Sequence, residues 1–316
     1  MEPVKTYIVL PCYNEEEVLS ETSTRLLKLL DMMLEENLVS DESRIVFVDD
    51  GSKDSTWSII KELSEKNKYV NGIKLAKNAG HQNALFAGLM TVKASADCVI
   101  SIDADLQDDI NVIRDFVLKF REGFDIVYGV RIKRKTDSFF KRNTALFFYK
   151  LMKTMGVNIV FNHADYRLMS RRSLEALSEF SEVNLFLRGI VPLVGYTSTN
   201  VYYERHERFA GKSKYPLNKM LAFAVEGITS FSITPIRIVT VIGFLFSLIS
   251  VFVALYGLLS NIFGYTVSGW TSLIVSIWLI GGIQLLALGL IGEYIGKIYK
   301  EVKRRPRFII EEHIND

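Results

Sequence analysis

The chain has 316 residues and a formal net charge of +2, with 38 Lys and Arg against 36 Asp and Glu. A balance so close to neutral removes the electrostatic case for a nucleic-acid partner, and the length suits one large domain with an appendage. Mean hydropathy is +0.18, high for a soluble enzyme, and the apolar excess is concentrated near the C-terminal end.

The first part alternates strand and helix signals. Strands are predicted at Tyr7–Pro11, Arg44–Asp49, Gly72–Ala76, Cys98–Asp103 and Ile126–Val130, with helices at Glu16–Glu36, Thr56–Lys66, Gln82–Ala94 and Val112–Arg121. Ile- and Val-rich runs separated by helices predict an α/β fold, a mostly parallel sheet covered on both faces. Ligands of such sheets bind at the carboxyl ends of the strands. Three strands end there in polar groups: Pro11-Cys12-Tyr13-Asn14-Glu15, Asp49-Asp50-Gly51-Ser52 and Asp103-Ala104-Asp105.

The third of these is the most informative. Carboxylates at i and i+2 of an extended segment point the same way, so Asp103 and Asp105 can share one hard cation, with Gln107 beside them. A plain acidic turn leading into the helix near Asn111 is the bland alternative. Asp50-Gly51-Ser52-Lys53-Asp54-Ser55-Thr56 reads as a turn and helix start, capped by Asp54 or Ser55. Asp49 and Asp50 are expected to accept hydrogen bonds from a base or ribose. His81, His163, His206 and His313 have no metal-ligand spacing.

Between Thr136 and Gly156 the pattern changes. Phe140, Phe147, Phe148, Leu151, Met152 and Met155 share one helical face, with Lys141, Arg142, Lys150 and Lys153 off it. That predicts a basic amphipathic helix at a membrane interface, over 137–156; a weaker one covers 216–231. From Ile238 to Gly292 there is no charged residue, enough for two spans, predicted at 236–259 and 272–295. Cations flank both ends, so residues 1–235, a basic tail at 297–316 and both termini are expected on the cytoplasmic side. Met1–Leu10 has no apolar core of the signal-peptide kind. Two cysteines, Cys12 and Cys98, both in strand contexts, fit a reducing compartment.

These segments, taken together, resemble glycosyltransferase family 2, and within it the polyprenyl-phosphate sugar synthases that act on undecaprenyl or dolichol phosphate. The similarity runs through Pro11-Cys12-Tyr13-Asn14-Glu15-Glu16, Asp49-Asp50-Gly51-Ser52-Lys53-Asp54, Asn78-Ala79-Gly80, Asp103-Ala104-Asp105-Leu106-Gln107-Asp108, Gly129-Val130-Arg131, Asp165-Tyr166-Arg167 and Arg208-Phe209-Ala210-Gly211-Lys212-Ser213-Lys214. With no Gln-x-x-Arg-Trp segment and two expected spans, a processive polysaccharide synthase is disfavoured.

The resemblance implies a GT-A (Rossmann-like) fold and an inverting hexosyl transfer from a UDP-sugar, of glucose or N-acetylglucosamine, to a polyprenyl phosphate. It implies a nucleotide-sugar site of Pro11, Tyr13, Asn14, Glu15, Asp49, Asp50, Gly80, Ala104, Asp105, Arg208 and Lys214. Mg2+ or Mn2+ would sit on Asp103, Asp105 and Gln107, and the acceptor phosphate near Arg134, Lys141 and Arg142. Arg131 would contact phosphate. Asp165 would be the base, or would orient Arg167. A homo-oligomer, such as a tetramer, is also implied. Two rivals remain: a diacylglycerol-type alcohol as acceptor, or a non-enzymatic scaffold or flippase partner.

Overall fold

A computed structural model describes residues 2–132, 163–182, 186–204, 234–263 and 269–314. Both expected interfacial helices, and with them Arg134, Lys141, Arg142, Arg208 and Lys214, lie outside the described residues. The chain divides into two compact units, the helices of 234–304 belonging to one and the rest of the described residues to the other.

The first unit is built on an eight-stranded sheet. In chain order it runs β1 (Thr6–Cys12), α1 (Leu19–Glu35), β2 (Arg44–Asp49), α2 (Thr56–Lys66), β3 (Val70–Leu75), α3 (His81–Val92), β4 (Cys98–Ser101), α4 (Val112–Arg121) and β5 (Ile126–Arg131). There follow β6 (His163–Ser170), α5 (Arg171–Ser178), the short helix α6 (Leu187–Ile190) with a 3-10 turn, β7 (Ser198–Tyr203), and finally β8 (Ile310–Ile314). The strand order is β7-β5-β6-β4-β1-β2-β3-β8. Strands β4, β1, β2 and β3 are mutually parallel, while β6 is antiparallel to both β4 and β5. This is the expected α/β architecture.

Alternation along the strands separates two apolar faces. Ile8, Leu10, Ile45, Phe47 and Ile100 join α1, α2 and α4 in one continuous core. The intervening Val9 and Val48 face α3, which comes so close that a Cβ on Gly88 would lie 2.5 Å from Val9 and 2.7 Å from Val48.

Three strands were not anticipated from sequence. Strands β6 and β7 are mixed in polarity, and β8 lies in what reads as a basic tail. Arg305 onward belongs to the sheet's unit, so only part of 297–316 is a simple tail. Strand β8 pairs antiparallel with β3, and Arg307 donates to the Phe180 carbonyl at 2.8 Å while lying over the Phe86 ring.

In the second unit, α7 (Thr234–Ile262) and α8 (Trp270–Val302) extend past both predicted spans. Among the described residues one segment, Leu279–Val302, is long and apolar enough to cross a membrane, and the apolar part of α7, Thr234–Phe246, is shorter.

Candidate active site

The carboxyl edge of the parallel strands collects the polar strand ends, because parallel strands finish on one side. Strand β6 runs the other way, so its beginning arrives at the same edge: Ser101, the last residue of β4, pairs with Arg167. Asp165 thus stands beside the segment that leaves β4. Arg131 and Tyr203 reach this edge at the ends of β5 and β7.

Two loops at this edge are locked by their own side chains. Both oxygens of Asp50 accept backbone N–H groups, from Ala79 at 2.6 Å and Gly80 at 2.9 Å. Asp50 therefore shapes the loop before α3. The two loops touch at Gly51, with φ of +65°, where a Cβ would lie 2.7 Å from the Asn78 nitrogen. Asn14 accepts from the Lys53 N–H at 2.9 Å and donates its own N–H to Ser52 Oγ at 3.0 Å. The Glu15 N–H donates to Thr56 Oγ1 at 2.9 Å. Pro11 is buried inside β1, while Tyr13 beyond it is partly exposed.

Asp49 differs from these. It is fully buried, Oδ1 accepts from the Ser52 N–H at 3.2 Å, and Oδ2 has no partner among the described residues. Burial pushes its carboxyl up, against opposing hydrogen bonds from Ser52 and attraction from Lys74. A buried acceptor left open is costly, and a ligand N–H or O–H would satisfy it.

Strand β4 ends at Ser101, two residues short of the predicted end, so Asp103-Ala104-Asp105 is a turn instead of an extended strand tip. Asp105 is oriented by accepting the Gln107 N–H at 3.2 Å, with Leu106 between them at φ +55°. Ala104 is buried, and its carbonyl accepts the Thr22 hydroxyl at 2.8 Å. Asp103 is 31% exposed, and His81 Nε2 lies 3.5 Å from its Oδ1. Burial raises the Asp103 carboxyl, Asp108, Asp165 and Asp105 add to that push, and His81 opposes it. Among the described residues no three His, Cys, Asp or Glu side chains form a complete ligand set. The turn offers two carboxylates and an amide.

Asp165, 5% exposed, sits between two arginines. Its Oδ1 accepts from Arg167 Nη2 at 2.6 Å, and its Oδ2 from Arg188 Nη2 at 2.9 Å and Nε at 3.2 Å. Burial alone would raise this carboxyl, but Arg188, Arg167 and His81 together hold it well below the usual carboxylate range. Arg131 binds Asp108 through Nε and Nη2, and Tyr203 donates its hydroxyl to the same carboxylate at 2.7 Å. The sequence reading missed Arg188, which lies in α6; its one signal was the charge itself in the apolar run Leu185–Val191.

A sheet edge with an acidic turn, an open buried acceptor and paired arginines is suited to a nucleotide and its phosphates. Residues 7–178 match the family described as Glycosyl transferase family 2. Over 310 residues, 98% of this chain and 92% of the other, the chain is 58% identical to a protein of Bacillus subtilis (strain 168) named "Uncharacterized glycosyltransferase YkoT". It is 42% identical over 311 residues, 98% of both chains, to the "SfII prophage-derived bactoprenol glucosyl transferase" of Shigella flexneri. Among solved structures, glucosyl-3-phosphoglycerate synthase from Mycobacterium tuberculosis, with Mn2+, uridine-diphosphate and phosphoglyceric acid, aligns at TM-score 0.47 and 19% identity over 72% of this chain and 76% of that one. The chain belongs to glycosyl transferase family 2. It is a glycosyltransferase.

Proposed function

We propose that this enzyme transfers glucose from UDP-glucose to a polyprenyl phosphate at the cytoplasmic leaflet of the plasma membrane, inverting the anomeric centre. The bactoprenol glucosyl transferases to which it is similar support both the sugar and the acceptor.

The state of Asp165 carries the reading. A carboxylate held between two arginines and far below its ordinary range is a poor proton acceptor. An alcohol acceptor needs a positioned base. A phosphate monoester, with a second pKa of about 6, arrives already ionised at neutral pH. A lipid phosphate is therefore the acceptor this site suits, and Asp165 acts by orientation.

In this reading Asp49 accepts a hydrogen bond from the base or ribose through its open oxygen. Tyr13 and the loops fixed by Pro11, Asn14, Glu15, Asp50 and Gly80 shape the nucleotide pocket around it. The crowded carboxylates of Asp103 and Asp105, with Gln107, fit a divalent cation, whose charge would relieve their repulsion. When bound, magnesium or manganese would neutralise charge developing on the leaving diphosphate. Arg131, Arg208 and Lys214 would supply the positive charge that the phosphates need.

An acceptor phosphate oxygen attacks the anomeric carbon as the bond to the diphosphate oxygen breaks, giving UDP and a glycosyl phosphodiester. Arg134, Lys141 and Arg142 meet the acceptor head, and the two apolar helices anchor the chain as a homo-oligomer with both termini inside. Holding both substrates at one edge supplies much of the rate through proximity.

The test is to incubate purified protein with undecaprenyl phosphate and a panel of radiolabelled sugar nucleotides. Label from UDP-glucose should enter an organic-soluble product, and D105A should abolish it. No lipid-soluble product from any donor, or full turnover by D105A, would overturn the reading.

A further inference from the structure

The carboxylate that the mechanism leaves without a proton to move is built into an arrangement that aims a second group. Asp165 uses one oxygen for Arg167 and the other for Arg188. Arg167 is 2% exposed and Arg188 is 33% exposed, so one arginine is internal and the other opens to solvent. Arg188 thus presents its guanidinium on the more exposed side of Asp165.

The backbone leading into Arg188 is held on both sides. The Leu187 N–H donates to Gln82 Oε1 at 2.9 Å, and the Leu187 carbonyl accepts from Arg167 Nη1 at 3.4 Å. Gln82 belongs to the first turn of α3, next to His81, and His81 Nε2 lies 3.8 Å from the same Asp165 oxygen that Arg188 grips. His81 in turn meets Asp103 at 3.5 Å. Arg188 is therefore one carboxylate and one imidazole away from the acidic turn. Burying Arg167 solely to hold another ion pair would be an expensive way to stabilise a fold. A guanidinium preset in this way loses little freedom when it takes up an anion, and its planar fork matches phosphate oxygens.

We propose that Arg188 binds a substrate phosphate, and that Asp165 is the positioning residue that aims it, with Arg167 and Gln82 fixing the frame. The phosphate belongs to the nucleotide diphosphate or to the lipid acceptor; both present the same oxygens. The inference rests on the proposed function for the identity of these substrates, but direct binding can test it without turnover.

Titration calorimetry on the full-length wild type, R188A and R188K with UDP, uridine and farnesyl phosphate decides the matter. R188A should weaken either UDP or farnesyl phosphate by about 10- to 100-fold, the loss expected for hydrogen bonds to a charged group. The ligand affected identifies the source. Uridine, which has no phosphate, should bind as before, and R188K should fall between R188A and wild type, since it keeps the charge without the fork. D165N should weaken the same ligand, and the double variant should be little worse than R188A alone, because the two act as one unit. UDP and farnesyl phosphate both within twofold of wild type on R188A would overturn the assignment, as would an equal loss for uridine. Should R188A not fold, R188K and R188Q carry the same comparison. A wild type that binds in this pattern but makes no lipid-linked sugar would count against the proposed function alone.

Discussion

Asp108 holds Arg131 by two oxygens: Nη2 lies 3.0 Å from Oδ1 and 3.2 Å from Oδ2, with Nε 3.2 Å from Oδ1. Asp108 is buried and Arg131 largely so, and the Tyr203 hydroxyl bonds both. Removing one member of such a pair takes from the other its bidentate ionic contact. D108N should destabilise the protein by about 2–4 kcal/mol and lower activity, because Arg131 loses its fixed direction. Y203F, which removes the two hydrogen bonds of that hydroxyl and no charge, should cost about 1–2 kcal/mol. Thermal unfolding of the two variants compares them directly; equal effects would argue against the ion pair as the main contact.

Asp49 should show the reverse balance between stability and binding. Burial raises its carboxyl, so ionisation at neutral pH works against the folded state, and Oδ2 is unpartnered among the described residues. D49N removes the charge at nearly constant shape. The ligand-free variant should gain about 1 kcal/mol, or a few degrees in Tm, while its affinity for UDP falls about tenfold or more. A variant that loses stability and keeps UDP affinity would contradict the assignment.

The pH dependence has a definite sign. Asp165 and Asp125 are both lowered: burial opposes this at each, but Arg188 and Arg167 prevail at the first and Arg172 with Thr197 and Ser170 at the second. A depressed folded pKa contributes stability above the unfolded value of about 3.9, lost as pH falls toward the folded value. Through these two groups Tm should fall only below about pH 4. Turnover should instead lose activity near pH 6, where the acceptor phosphate gains its second proton. Replacing the acceptor with the corresponding phosphonate, whose second ionisation lies higher, should move that limb upward. A limb that stays in place would assign it to the protein.

The sequence was most readable where chemistry and local structure coincide. The first five strands and four helices follow from apolar runs ended by Asp49, Asp103 and the Asn78-Ala79-Gly80 loop, since parallel strands buried on both faces leave a continuous apolar signal. Strands β6 and β7 carry no such run: Tyr166 and Leu168 pack inward while Asp165 and Arg167 form an ion pair on the other side. Their identity as strands depends on pairing across long stretches of chain. Arg188 was invisible for the same reason, because it gains meaning only from Asp165, 23 residues earlier. Asp50 was legible as important, but its use as a clamp on Ala79 and Gly80 depends on how two separate loops meet.

Strand β8 gives a prediction about the tail. It covers the edge of β3, with Lys74 on Glu311 at 3.0 Å and Trp57 Nε1 on Glu312 at 3.3 Å. A chain ending at residue 304 would leave the β3 edge open, and open edges pair with other chains. Such a variant should have a lower Tm and associate in light scattering. Unchanged behaviour would make β8 dispensable.

The proposed acceptor is a phosphate, which needs no base. The most direct check offers the enzyme radiolabelled UDP-glucose with undecaprenyl phosphate and dioleoylglycerol in the same vesicles, then treats the lipid product with mild acid. A glycosyl phosphodiester releases its sugar under those conditions and an O-glycoside of diacylglycerol does not. With a phosphate acceptor the label returns to the aqueous phase; label that stays acid-stable on the lipid would mean that the acceptor is the alcohol.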